Sequence, residues 1–238
     1  HAMKIHYLQH VPFEYPGSIL AWAKENGYTM TATRFYEKET PPPPSSFDWL
    51  IVMGGPINVY EEEKYPWLAA EKRFIADAID SGKVVIGLCL GAQLLACILG
   101  GKVTKNPEKE IGWHSVTLSE AAKASALFSH FPDSPTVFQW HGDTFSLPPG
   151  ATLLASSEPC ANQAFSHKGR VFAFQFHLET TQGAIEALIE HCGDELTSAP
   201  FVQSADAIRS RANEVKKAND LLASFLSALD GACQRGLL

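Results

Sequence analysis

A chain of 238 residues with 45% apolar content can fill the core of one large α/β domain or two small ones. The formal net charge of −7 and the lack of any Lys/Arg cluster exclude a nucleic-acid surface, which needs concentrated positive charge against phosphates. No apolar run approaches the roughly 20 residues of a membrane-spanning helix.

The strand pattern at Lys4, after a tag-like His1-Ala2, does not read as a signal peptide. Residues 4–9 predict a strand, 18–26 a helix with Ser18 as its N-cap, and 28–35 a second strand after the helix-ending Gly27. Pro41-Pro42-Pro43-Pro44 predicts an extended surface connector. Residues 49–53 form a third strand running into Gly54-Gly55-Pro56, a turn at the carboxyl edge of the sheet, where ligands bind in open α/β folds. Residues 66–81 show helical apolar spacing, and 84–88, an apolar and partly β-branched run, read as a central parallel strand followed by a helix over 92–99. Short strands follow at 113–118, 136–139, 151–155, 162–166 and 171–176, with a brief helix at 121–128 between them. Helices are expected at 181–192 and, as one long stretch, at 204–229. The pattern predicts one mixed sheet covered by helices. The domain expected is 3–193, with 194–238 a helical extension packed on it or serving a homodimer contact.

Cys89 sits at the corner between the central strand and its helix, with Gly87 and Gly91 two residues to either side. This is the layout of a nucleophile elbow with Cys in place of Ser. Free N–H groups and the helix dipole at that corner favour an anion. A lone cysteine at a strand end is more often an inert core residue, but such a residue needs neither glycine. The five cysteines are scattered, odd in number and without a C-x-x-C pair, so reduced thiols and a cytoplasmic protein are expected.

A nucleophilic cysteine needs a base and a group that orients the base. His177 ends an apolar strand and Glu179 follows two residues later. A surface histidine beside a solvated glutamate is the ordinary origin of such a pair. His141, in Trp140-His141-Gly142-Asp143, is expected in a turn. His114, His141 and His177 have no recognised metal spacing, and neither metal nor cofactor is expected.

Gly-Leu-Cys-Leu-Gly-Ala-Gln at 87–93, the Gly54-Gly55-Pro56 turn and Gln175-Phe176-His177-Leu178-Glu179 together resemble the class I, triad-type glutamine amidotransferases. Trp140-His141-Gly142-Asp143 with Leu147-Pro148-Pro149-Gly150 is similar to a loop of the GMP synthase glutaminase domain. The resemblance implies a flavodoxin-like three-layer α/β/α fold with a central mixed, mostly parallel sheet and a C-terminal helical extension. It also implies a triad of Cys89, His177 and Glu179, and an oxyanion hole from the backbone of Gly55 and Leu90. Gln93 matches a residue that contacts substrate, and Gly54, Trp140, His141, Gly142 and Asp143 are candidate substrate neighbours. Ala92 and Leu178 stand where the family frequently has His and Pro, and neither change removes a catalytic group.

The activity implied is hydrolysis of the L-glutamine carboxamide through a cysteine thioester, supplying ammonia to a separate synthetase subunit. A stand-alone hydrolase of γ-glutamyl peptides would use the same triad. A flavodoxin-like binding or redox protein with a sensing cysteine is the third alternative.

Overall fold

In the computed structural model, which describes residues 2–238, the chain opens with β1 (Lys4–Gln9), α1 (Ser18–Glu25) and β2 (Thr29–Arg34). It continues through β3 (Trp49–Val52), α2 (Leu68–Asp80), β4 (Val84–Leu88) and α3 (Leu90–Ile98). Then follow β5 (Val103–Ser115), β6 (Thr117–Leu118), α4 (Glu120–Ala124), β7 (Thr136–Phe145), β8 (Ala151–Ser156), β9 (Ala164–His167) and β10 (Val171–Phe174). The helices α5 (Gln182–Cys192), α6 (Ala205–Arg209) and α7 (Glu214–Gln234) complete it. Among the described residues, no helix is long and apolar enough to cross a membrane.

Eight strands form one sheet in the order β2-β1-β3-β4-β10-β9-β8-β6. The pairings from β2 to β10 are parallel and the remainder antiparallel. Side-chain alternation sorts the central strands into two cores. Ile5, Tyr7, Trp49, Ile51, Ile86, Leu88, Phe172 and Phe174 join Trp22 of α1 and Leu222, Phe225 and Leu229 of α7. Leu8, Leu50, Val52, Val85, Val171 and Ala173 face the other way, onto Ile75 and Ala78 of α2 and Leu94 and Leu95 of α3. Two covered faces explain why β3, β4 and β10 are apolar without interruption. Phe225 is fully buried, with its ring 5.2 Å from Phe128 and 5.3 Å from both Phe172 and Phe174, so α7 seals the sheet.

Four expectations are corrected. The antiparallel half is not all one sheet, because β5 and β7 pair with each other as a separate ribbon. β5 starts at Val103, well before the predicted 113, since its polar first half pairs with β7 across a bulge between Lys105 and Glu110. Ser18 does not cap α1: the N-cap is Gly17 at φ 57, and Ser18 N donates to Glu179 O at 2.9 Å, a tertiary acceptor that replaces a side-chain cap. The single C-terminal helix is divided into α6 and α7 by a turn over residues 210–213.

Candidate active site

β4 and β10 are parallel neighbours, with Phe174 opposite Leu88, so the residues following them emerge side by side. Cys89 emerges from β4 with φ 55 and ψ −108, anchored by its N–H donating to Phe174 O at 2.8 Å, and serves as the N-cap of α3. Few non-glycine residues adopt that left-handed backbone, and they gather at functional sites. The flanking glycines are required by crowding. A Cβ on Gly87 would lie 2.5 Å from Gly91 O, and one on Gly91 only 2.0 Å from Val52 O.

His177 and Glu179 leave β10 on the adjacent path. The Glu179 carboxylate accepts from His177 Nδ1 at 2.9 and 3.2 Å, and both side chains are buried. His177 Nε2 is buried with no hydrogen bond of ordinary geometry, and Cys89 is its electrostatic neighbour. Burial alone would lower the imidazole pKa, but the Glu179 carboxylate, with Cys89 contributing, outweighs it and holds His177 well above its ordinary value. The Cys89 thiol donates to Trp140 O at 3.5 Å, and Gln175 Nε2 donates to Cys89 Sγ at 3.6 Å. Gln175 in turn accepts from Gln93 Nε2 at 3.1 Å. The loop that carries Leu178 in place of Pro is fixed from outside: Asn219 Nδ2 of α7 donates to Leu178 O at 2.8 Å and Thr180 O at 3.0 Å.

Behind the Gly54-Gly55 turn lies a buried pair that the sequence did not reveal. His10 donates from Nδ1 to Gly54 O at 3.1 Å and meets Glu71 Oε2 through Nε2 at 2.6 Å, with both side chains fully buried. Burial works against charge on His10, yet Glu71 and the Gly54 carbonyl outweigh it and raise its pKa. The Gly54 carbonyl and the Gly55 N–H belong to one trans peptide unit. Fixing the carbonyl toward His10 therefore turns the N–H the opposite way.

A cavity of about 400 Å³ opens over Cys89. Gly55, Leu90 and Gln93 line it beside the cysteine, Trp140 to Asp143 form one wall, and His191 in the last turn of α5 with Asp194 and Glu195 after it form another. Gly54 sits one layer back, and His177 and Glu179 lie below the lining. The stretch from Trp140 to Asp143 is strand, not the predicted turn: Trp140 pairs with Ile111 and His141 with Glu110, because ribbon pairing overrides the turn preference of Gly142-Asp143. Both His141 ring nitrogens are engaged, Nδ1 with Asp143 O and Nε2 with Glu110, each at 2.7 Å. Glu110, His141 and Cys160 place ligand-type atoms within 4.8 Å of one another. Their hydrogen bonds, including Gln163 Nε2 to Glu110 at 2.6 Å and Cys160 Sγ with Thr144 at 3.3 Å, account for the cluster without an ion.

Glu14, in the loop after β1, also lines the cavity. Burial pushes its carboxyl up to about 7; His177 and His10 pull it down while Glu179 and Glu195 push it further up.

The α/β sheet thus places a strained cysteine at the end of a central strand beside a buried His-Glu pair that follows the neighbouring strand. A family model for glutamine amidotransferase class-I matches residues 14–193, and the chain belongs to that family. It is 39% identical over 234 residues to the glutamine amidotransferase-like protein YfeJ of Salmonella typhimurium, covering 95% of this chain and 97% of that one. A GMP synthase of Leifsonia xyli is 34% identical over 134 residues, but the match spans 55% of this chain and only 25% of the synthase. A solved glutamine amidotransferase of Thermotoga maritima superposes with a TM-score of 0.86 at 32% identity, over 96% of this chain and 98% of that one.

Proposed function

We propose that Cys89, His177 and Glu179 form a triad that hydrolyses the γ-carboxamide of L-glutamine through a γ-glutamyl thioester. The observation that carries this reading is the buried His177–Glu179 pair, whose Nε2 has no other partner and whose pKa responds to the Cys89 sulfur at the floor of the cavity. Cys89 Sγ bonds to the carboxamide carbon and its proton passes to His177. The carbon–nitrogen bond then breaks, and His177 returns the proton to the departing ammonia. Water, deprotonated by His177, attacks the thioester, releasing glutamate and the thiol. Glu179 orients the imidazole, and the N–H groups of Gly55 and Leu90 receive the oxyanion. The His10 anchor keeps the Gly55 N–H turned inward, and Gln175 positions the sulfur.

The ammonia would feed a separate synthetase subunit. Hydrolysis of γ-glutamyl peptides or related amides is the second reading. It is favoured by the extension of the cavity past Cys89 to His191 and Glu195, which leaves room for a leaving group larger than ammonia. Steady-state assays on glutamine and on γ-glutamyl peptides test both, with Cys89→Ala as the control. A hydrolase turns over the peptides unaided, whereas an ammonia donor stays slow on glutamine until its partner is added. Activity that survives Cys89→Ala overturns the mechanism.

A further inference from the structure

Among the described residues, Glu14 is the buried acid around the cavity that has nothing to hold; Asp194 is also unpaired, but it is exposed. Glu195 accepts from Trp140 Nε1 at 2.9 Å and pairs with Lys109 at 3.3 Å, and Asp143 accepts from the Tyr60 hydroxyl at 3.2 Å. Glu179 and Glu71 are taken by His177 and His10. The Glu14 side chain makes no hydrogen bond or salt bridge among the described residues, although the residue is 9% exposed and lines the cavity that holds Cys89. Burying a carboxyl without a partner is costly, and such a group calls for an occupant.

Its position says where the occupant sits. A Cβ on Gly54 would lie 2.5 Å from Glu14 Oε1 and 3.4 Å from His177 Cε1, so the carboxyl and the imidazole flank the same glycine, and the two interact electrostatically. Cε1 is bonded to Nε2, the nitrogen that in the proposed mechanism hands its proton to the leaving amine. The substrate group received there must complement a carboxylate in a wall that also carries Asp143, Asp194 and Glu195.

We propose that Glu14 is an ammonium-binding subsite of the catalytic pocket: its carboxylate receives a primary ammonium of the substrate, either the α-ammonium of a γ-glutamyl group or an amine carried on the leaving group. The proposal rests on the hydrolase reading above for the identity of the pocket. It accounts for the raised carboxyl as well, because a cation in the subsite supplies the stabilisation that burial removes.

Two matched pairs of amides test it and separate the two sources. Glutamine against glutaramate, which lacks the α-amine, reads the first. γ-Glutamyl-4-aminobutylamide against γ-glutamyl-butylamide reads the second. The wild type should favour the ammonium-bearing member of one pair in kcat/KM by at least about tenfold, as expected for a charge-assisted contact in a buried site. Glu14→Gln should bring that ratio close to one, and Glu14→Asp, which keeps the charge, should retain part of it. A ratio near one for both pairs in the wild type, or a ratio that Glu14→Gln leaves intact, overturns the proposal. If the wild type turns over none of the four amides, the hydrolase reading fails on its own. Calorimetric titration of the same compounds into Cys89→Ala then decides the subsite. Tighter binding of an ammonium-bearing member, lost in Cys89→Ala with Glu14→Gln, supports it, and equal affinities refute it.

Discussion

The His10–Glu71 pair permits an experiment that separates scaffolding from catalysis. Both side chains are fully buried, and His10 packs beside the stacked rings of Phe35 and Trp67, with centroids 5.8 Å from each and planes 19° and 28° off parallel. His10→Ala leaves the Glu71 carboxylate buried and unpaired, a defect worth about 3–5 kcal/mol. It also frees the Gly54-Gly55 peptide to rotate, and loss of one oxyanion donor lowers kcat by about 10²–10³. Each loss alone would be ambiguous. The decisive variant is His10→Phe with Glu71→Leu, which fills the same aromatic slot with apolar side chains and removes both charges. Replacements of this kind are often neutral or stabilising. Denaturant unfolding should therefore recover the wild-type midpoint or exceed it, while kcat on the best γ-glutamyl substrate stays depressed and KM changes little. A double variant with both stability and kcat restored would show that the pair only fills space, and would refute the anchoring of the Gly55 N–H.

Glu14→Gln should alter stability with a particular pH dependence. The folded carboxyl titrates at about 7 against an ordinary 4.5, so the folded state holds its proton more tightly and wild-type stability falls as pH rises through that window. The gap of 2.5 units corresponds to about 3 kcal/mol at most; the variant should gain toward that value at pH 8 and nothing near pH 4, as thermal melts in parallel buffers would show. Phe225→Ala should cost about 3–5 kcal/mol by urea unfolding, because it empties the contact between α7 and the sheet. Gly91→Ala, with its new Cβ 2.0 Å from a backbone oxygen, should yield little soluble protein, and a variant with normal yield and activity would contradict the elbow geometry. Asn219→Ala removes two donors from the Leu178 loop and should lower kcat without touching the pocket, measurable beside an unchanged alkylation of Cys89.

β3 and β4 were legible because each is short, apolar and ended by a residue that breaks the pattern, and β1 because Ile5, Tyr7 and Leu8 stand out in a short run. The elbow was legible for a related reason: glycines at 87 and 91 around a cysteine report crowding that the structure then displays as contacts with Gly91 O and Val52 O. The first half of β5 escaped because Lys105, Glu108 and Lys109 give it a polar sequence, Pro107 interrupts them and a bulge breaks the alternation. Gly142-Asp143 carries a turn preference that only the facing strand overrides. His10, Glu14 and Glu71 could not be weighted from sequence, since their meaning comes from Gly54 and His177, which only the fold brings near. One signal was available: Glu14 lies in the loop after the first strand, at the same edge as the Gly54-Gly55 turn.

The pairing of β10 with β4 links evolutionary freedom in the core to freedom at the site. Moving β10 by one residue would turn Phe172 and Phe174 away from α7 and present Val171 and Ala173 instead, and the same step would set Phe176 rather than Gln175 beside Cys89. A lineage drifting in its packing along this strand thus meets two penalties at once, one in folding and one in turnover. Variation is left to the end of α5 and the residues just after it, where His191, Asp194 and Glu195 can change what the pocket accepts while the strands beneath keep their places.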